Sequence, residues 1–295
     1  FGLLGIVGAG VLGAATISYG WSEGASISAI AWAAIALGTI VIPLLLYLVP
    51  ERTDRLDQIH EGSQSLSDNL LSLGQNKLFL RLLSAWFLNG VANGIPAALF
   101  FLYLEHGLGV EESIRPLFVL SYFVAAIVSI PLWFHLSSCL GKHRAWCWGM
   151  IAACVAFISV PWVEVGDFAF FGVICVVTGM ALGADLALPP ALQADVTDYA
   201  KFRFGRAQIS LQFALWGTST KLALAVAVGL ALPGLEASGF DPEIPSDAGR
   251  QALIVIYALI PVVLKVMAIL VVWQFPLTAH IQNVIRQRLR RRKIV

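Results

Sequence analysis

Three ionisable residues stand inside long apolar runs: Asp185, Lys221 and Lys265. A lone charge in a lipid-crossing segment is costly, so it is expected to face a polar cavity or an opposite charge. The chemistry on offer is the binding and release of a polar solute. The richest stretch is Gly179–Lys221, GMALGADLALPPALQADVTDYAKFRFGRAQISLQFALWGTSTK. Its first apolar helix carries Asp185 and is expected to stop at Pro189-Pro190. A short charged turn is expected next, with Asp195, Asp198, Lys201, Arg203 and Arg206. A second apolar helix then buries Lys221. Snorkelling to the interface is hard from mid-span, which favours a cavity-lining lysine. Lys265, between Leu264 and Val266, reads equally as a functional group or as half of a structural pair. Asp185 is expected to pair with Lys221 or Lys265, or to line the pathway. One acid against two amines leaves an excess of one positive charge in the apolar layer. Acids elsewhere in the full protein, or an anionic substrate, would balance it.

Uncharged polar residues add candidates. Trp86, Asn89 and Asn93 fall on one helical face. They suit a polar ligand with an apolar surface, or interhelical hydrogen bonding. Gln212 and Trp216 are four apart and share a face in the same way. Asp195, Asp198, Arg203 and Arg206 read as a gate of ion pairs, or as a solvated loop whose pairs contribute under ~1 kcal/mol. His135, beside a span end, reads as an ordinary interfacial histidine or as a proton relay. Cys139, Cys147, Cys154 and Cys175 form no CxxC pair, so free buried thiols are expected. No metal site is expected.

The elements that must hold these residues are membrane helices. Hydrophobic residues make up 58% of the 295 and charged ones 13%, against roughly a quarter charged in soluble domains. Several apolar runs reach the ~20 residues that cross a bilayer as helix, and backbone groups in lipid must bond internally. Eight spans are expected: 2–19, 27–49, 78–104, 117–136, 145–163, 168–188, 207–232 and 252–275. Of 19 Lys and Arg, fifteen lie in or beside the connections 50–76, 137–144, 191–206 and 277–295. Only Arg115 and Arg250 flank the other set. That bias places the first set, with the C-terminus, in the cytoplasm. The expected setting is a bacterial inner membrane, with no signal peptide. The tail RQRLRRRK reads as a topology anchor or as a contact for anionic headgroups. Nucleic-acid binding would need a basic face on a soluble domain, and none is expected.

The segment ALPPALQADVTDY, then GR, then a helix with Lys221, resembles the glycoside–pentoside–hexuronide:cation symporters. This branch of the major facilitator superfamily includes the melibiose permease. Asp195, Asp198 and Tyr199 fit its D-x-x-D-Y motif, and Lys221 matches its eleventh-helix lysine. Leu140–Arg144, LGKHR, resembles the degenerate Gly-Lys/Arg turn between helices eight and nine. Two positions depart from the pattern: Arg206 directly follows Gly205, and Ser138 stands where the superfamily often has Asp.

The resemblance implies an all-α polytopic fold truncated at its N-terminus, with helices five to twelve of twelve. On that register 1–49 holds the last two helices of the N-terminal half, and 50–76 is the central cytoplasmic loop. Residues 77–276 form the C-terminal six-helix half and 277–295 a basic tail. The implied function is cation-coupled symport of a small sugar- or glycoside-like solute by alternating access. No cofactor is implied; a coupling cation, Na+ or H+, is expected, held mainly by helices two and four. Substrate-binding candidates are Lys221, Asn89, Asn93, Trp86, Gln212, Trp216 and Lys265. Gate or ion-pair candidates are Asp185, Asp195, Asp198, Arg203 and Arg206. The partners are the solute and the lipid bilayer; no oligomeric state follows. A carrier of lysolipid or another amphiphile is the alternative on the same fold. An intramembrane enzyme or a non-transporting sensor is the alternative of another class. No motif joins Asp185 and His135 into a catalytic set, so no enzyme is expected.

Overall fold

Each described apolar run is a helix, and no strand occurs among the described residues. The computed structural model describes residues 23–48, 73–204, 209–242 and 246–292, with scattered positions among the first 21. Much of the expected span 2–19, most of the loop 50–76 and Arg206 lie outside the described residues. The chain divides into two units, Phe1–Asn69 and Leu70–Val295. In the first, α1 (Glu23–Leu48) is long and apolar enough to cross a membrane, with Trp32, Leu37, Leu46 and Tyr47 all exposed.

The second unit holds α2 (Lys77–Leu102), α3 (Arg115–Leu140), α4 (Lys142–Ile158), α5 (Phe168–Phe204) and α6 (Ile209–Ala237). A further span is built from α7 (Asp247–Ile254), a π-helical turn (Val255–Leu259) and α8 (Ile260–Val272); α9 (Ala279–Arg292) follows. Seven described helical segments, one in the first unit, meet the requirements for a span.

Local chemistry sets the helix ends. The Asn76 side chain accepts from the Phe79 N–H, and Ser246 accepts from the Gly249 N–H, satisfying amides that no earlier turn can reach. Gly141 takes φ 86° between α3 and α4, a conformation that glycine adopts without strain. Arg81 donates to the carbonyl of Val271, tying the start of α2 to the end of α8. Arg115 holds Glu105 at 2.9 Å and the Val110 carbonyl, and Arg250 donates to the Gly107 carbonyl. The two basic residues on the sparse side thus brace loops.

Packing follows a repeat of three helices. α3 lies on α5, and α2 on α6; α4 lies on α5, and α8 on α2. Exchanging the triplet α2–α4 with α5, α6 and α8 turns each pair into the other. Three spans are an odd number, so the triplets are inverted. Small residues allow the close contacts. A Cβ on Gly90 or Gly94 would collide with Ala223 or Ala227 of α6. On Gly179 or Gly183 it would collide with the α3 backbone at Tyr122 or Ala126. Both helices therefore use glycines four apart as packing notches.

The helix expected to stop at Pro189-Pro190 does not stop. α5 runs unbroken from Phe168 to Phe204. Proline frees the carbonyl four residues back, but packed neighbours in a membrane helix tolerate this. Pro189 is itself buried. The charged turn is therefore the last turns of a helix, and Asp195, Asp198, Lys201 and Arg203 project from it.

Candidate functional site

The two mid-span lysines part company. On α8, Pro261, Lys265, Ala268 and Val272 form the buried stripe, and Lys265 is 1% exposed. On α6 the buried stripe is Gln212, Trp216, Ser219, Ala223, Ala227, Ala231 and Leu235. Lys221 lies two residues from both Ser219 and Ala223, about 160–200° round the helix. It is exposed, against the expectation that it is buried. No hydrogen bond or ion pair joins it to a described residue.

Lys265 enters a network across four helices. Its Nζ donates to Asn89 Oδ1 at 2.8 Å and to Asn93 Oδ1 at 2.7 Å. The Asn93 amide then donates through Nδ2 to Asp185 Oδ2 at 2.8 Å. The other Asp185 oxygen, Oδ1, accepts from Trp146 Nε1 at 2.6 Å. Asn89, Trp146 and Asp185 are all buried. Of the two roles expected for Asp185, direct pairing with Lys221 or Lys265 does not occur, and Asp185 instead lines a cavity. Asn93 stands between Asp185 and Lys265, accepting from the cation and donating to the anion. The unit as a whole is neutral, so the expected excess of one positive charge falls on Lys221. A buried charge without such partners would cost several kcal/mol.

Beside the network lies a cavity of about 200 Å³. Asn93, Asp185 and Lys265 give it a polar end, and Thr178 lines it about two turns along α5 from Asp185. Phe100, Phe157 and Tyr257 supply aromatic walls, and the lining reaches Phe101, which is 56% exposed. Lys265 has three donors and uses two on these asparagines, leaving one N–H for a further acceptor. Thr178 spends its proton on the Ile174 carbonyl at 2.7 Å, so its oxygen can still accept. The arrangement binds and orients a polar group against an apolar body. It has no nucleophile with a base beside it, and no metal-ligand cluster occurs among the described residues.

The other candidates divide. Asn89 and Asn93 share the network, but Trp86 turns to α6. Its Nε1 donates to Thr220 Oγ1 at 2.8 Å, and its ring stacks on Trp216 at 4.7 Å. Gln212 is buried on α6 and accepts from Thr197 Oγ1 at 2.8 Å, while its Nε2 has no partner among the described residues. None of these three lines the cavity. His135 is exposed on α3 and also stands apart.

At the basic end of the unit, Asp195 is 3% exposed and takes Lys142 Nζ at 2.6 Å and Arg286 at 3.4 Å. Arg286 also reaches Asp198 at 3.4 Å. Arg203 is exposed and pairs with no acid among the described residues. The acids of the expected gate are therefore paired, but with Lys142 of the LGKHR turn and Arg286 of the tail. Both partners, together with Trp146, Thr178 and the aromatic walls, are absent from the candidates that residue type and spacing single out. Lys142 was within reach, because its turn had been noted. Trp146 carried no signal, since an apolar helix offers many indoles.

An inverted repeat of membrane helices around a buried polar cluster defines a helical transporter of the major facilitator type. The chain belongs to the MFS/sugar transport protein family, which it matches over residues 1–279. It is similar to the sphingosine-1-phosphate transporter MFSD2B of Xenopus tropicalis, with 24% identity over 230 residues. That match covers 74% of this chain and 44% of the relative. It is also similar to the uncharacterized symporter sll1374 of Synechocystis sp. (strain ATCC 27184 / PCC 6803 / Kazusa), with 22% identity over 258 residues. Here 83% of this chain and 47% of the relative are covered. The chain spans about half the length of the curated relatives it matches. Family and relatives are transporters, and the chain is an integral membrane protein.

Proposed function

We propose that the chain is part of a secondary active transporter that moves a small solute together with a cation, Na+ or H+, by alternating access. The observation that carries this reading is the neutral Lys265–Asn93–Asp185 unit at the end of an otherwise apolar cavity. A ligand that hydrogen-bonds there can be held without adding net charge to the membrane interior. The solute is sugar- or glycoside-like, in keeping with the family's description and the glycoside–pentoside–hexuronide resemblance. Asn93, Asp185 and Lys265 contact it. Lys221, on the exposed face of α6 and away from this cavity, contacts the cation-site acids. Residues 1–49 and 77–276 belong to the two halves that rock, with 50–76 between them on the cytoplasmic side. Asp195 and Asp198, held by Lys142 and Arg286, act as the cytoplasmic ion-pair gate.

A second reading has its own support. The cavity walls are aromatic, and one relative is named a sphingosine-1-phosphate transporter. An amphiphile would put its head on the polar end and its tail along Phe100 and Phe101.

Uptake into proteoliposomes of the full-length protein tests both, with a labelled hexoside and a labelled lysolipid under an imposed Na+ or H+ gradient. Gradient-driven hexoside uptake, lost in Asp185→Asn, supports the first reading. Lysolipid uptake alone supports the second. Uptake of either solute that is unaffected by both Asp185→Asn and Lys265→Met rejects the site.

A further inference from the structure

Helix α9 is two-sided. Gln282 and Ile285 are buried, and Ile285 shares a core cluster with Val272 and Phe275 at the end of α8. On another face Ile281 and Val284 are 42% and 36% exposed. Arg288 lies one turn beyond Val284, exposed, with its guanidinium 6.0 Å from the centroid of the Phe202 ring. Phe202 sits between Lys201 and Arg203 in the last turn of α5, and both of these are exposed. None of the three basic residues pairs with a carboxylate among the described residues. The α9 sequence, AHIQNVIRQRLRRR, contains no acid.

The depth of this face follows from α8. Val263, Met267 and Leu270 form an exposed apolar stripe at helical spacing, and an exposed Trp273 ends it. An apolar stripe closed by an indole marks lipid contact and then the headgroup layer. Only residues 273–278 separate that layer from α9. An interfacial helix has this composition, with apolar residues for the acyl boundary and arginines beside them for the phosphates.

We propose that α9 and the end of α5 form a binding surface for anionic phospholipid headgroups. Ile281 and Val284 sit in the bilayer interface, and Lys201, Arg203 and Arg288 contact lipid phosphates. The surface is separate from the mid-span cavity and is independent of the transported solute. Arg286, two residues before Arg288, stays on Asp195 and Asp198, so the lipid steadies the helix that supplies the gate's arginine.

The test uses the full-length protein with Cys139→Ser, since Cys139 is exposed while Cys147, Cys154 and Cys175 are buried. Val284→Cys carries a bimane label in nanodiscs of phosphatidylcholine, with or without phosphatidylglycerol. Phosphatidylglycerol is expected to blue-shift the label and to let brominated acyl chains quench it. Native mass spectrometry should show phosphatidylglycerol retained over phosphatidylcholine. That preference should fall by about fivefold for each charge removed in the series R288Q, R203Q/R288Q and K201Q/R203Q/R288Q. A label that stays in water in both discs overturns the proposal. So does a triple variant with the parent's lipid preference. An equal shift from inorganic phosphate in neutral discs would show a soluble-anion site and overturn it as well.

Discussion

Lys265 and Lys221 carry the same charge near the middle of two long apolar helices, yet their surroundings are opposite. Lys265 lies in the centre of its helix's packed stripe and is bound by two asparagines. Lys221 lies across the helix from a stripe of small residues and is exposed. Depth along a span is therefore a poor guide to the role of a charge, and angle round the helix is a better one. A lysine on the packed stripe must find partners inside the bundle, because burial strips most of its hydration. A lysine opposite the stripe is available to whatever that face meets.

The largest effect is expected at the buried lysine. Lys265→Met removes the cation and leaves Asp185 charged and buried. Loss of one partner of such a unit costs about 3–5 kcal/mol. The reconstituted protein should unfold at markedly lower denaturant, and uptake should vanish. A parent-like transition would refute the burial of that charge.

Asn93→Leu comes next. Asn93 joins both charges, while Asn89 hydrogen-bonds Lys265 and its own Nδ2 has no partner among the described residues. A hydrogen bond to a charged group contributes about 1.5–3 kcal/mol, so Asn93→Leu should cost roughly twice as much as Asn89→Leu. Equal costs in denaturant titration would mean that Asn93 does not bridge.

Trp86→Phe should have a smaller effect. It gives up the Thr220 hydrogen bond and weakens the stack on Trp216, contacts worth about 0.5–1.5 kcal/mol each. The loss should appear in stability.

Lys221→Ala should be the mildest for stability, within about 0.5 kcal/mol, as for other exposed positions. Measured beside it, uptake carries the contrast. Parent-like stability with lost uptake would give Lys221 the solute- or ion-contacting role that the family resemblance implies. A large loss of stability would mean that α6 packs on the face where Lys221 projects.

Much of the fold was legible because lipid imposes a simple rule. Runs of apolar residues must be helices, while the skew of Lys and Arg toward alternate loops gives the expected sidedness of those loops. The end of α5 was misread, because Pro189-Pro190 breaks helices in water but not in a packed membrane helix. The site was half legible. Asn89, Asn93, Asp185 and Lys265 were all candidates by residue type. Their association was not, because it depends on how α2, α4, α5 and α8 meet. One clue was available: Ser219, Ala223, Ala227 and Ala231 at intervals of four mark the packed face of α6 and put Lys221 off it. The Asp195 partners were hidden for another reason. Lys142 and Arg286 lie 53 and 91 residues away, and nothing local in the sequence ties a basic turn and a basic tail to one carboxylate.

The central claim is that Lys265 and Asp185 act as one neutral unit through Asn93. A double-mutant cycle of Lys265→Met and Asp185→Asn, followed by the unfolding of the reconstituted protein, tests it most directly. Each single change leaves the other charge uncompensated, whereas the double change removes both. The double variant should therefore be more stable than Lys265→Met alone, with a coupling of about 0.5–3 kcal/mol between the sites. Single losses that simply add would show that the two charges do not sense each other, and would contradict the account.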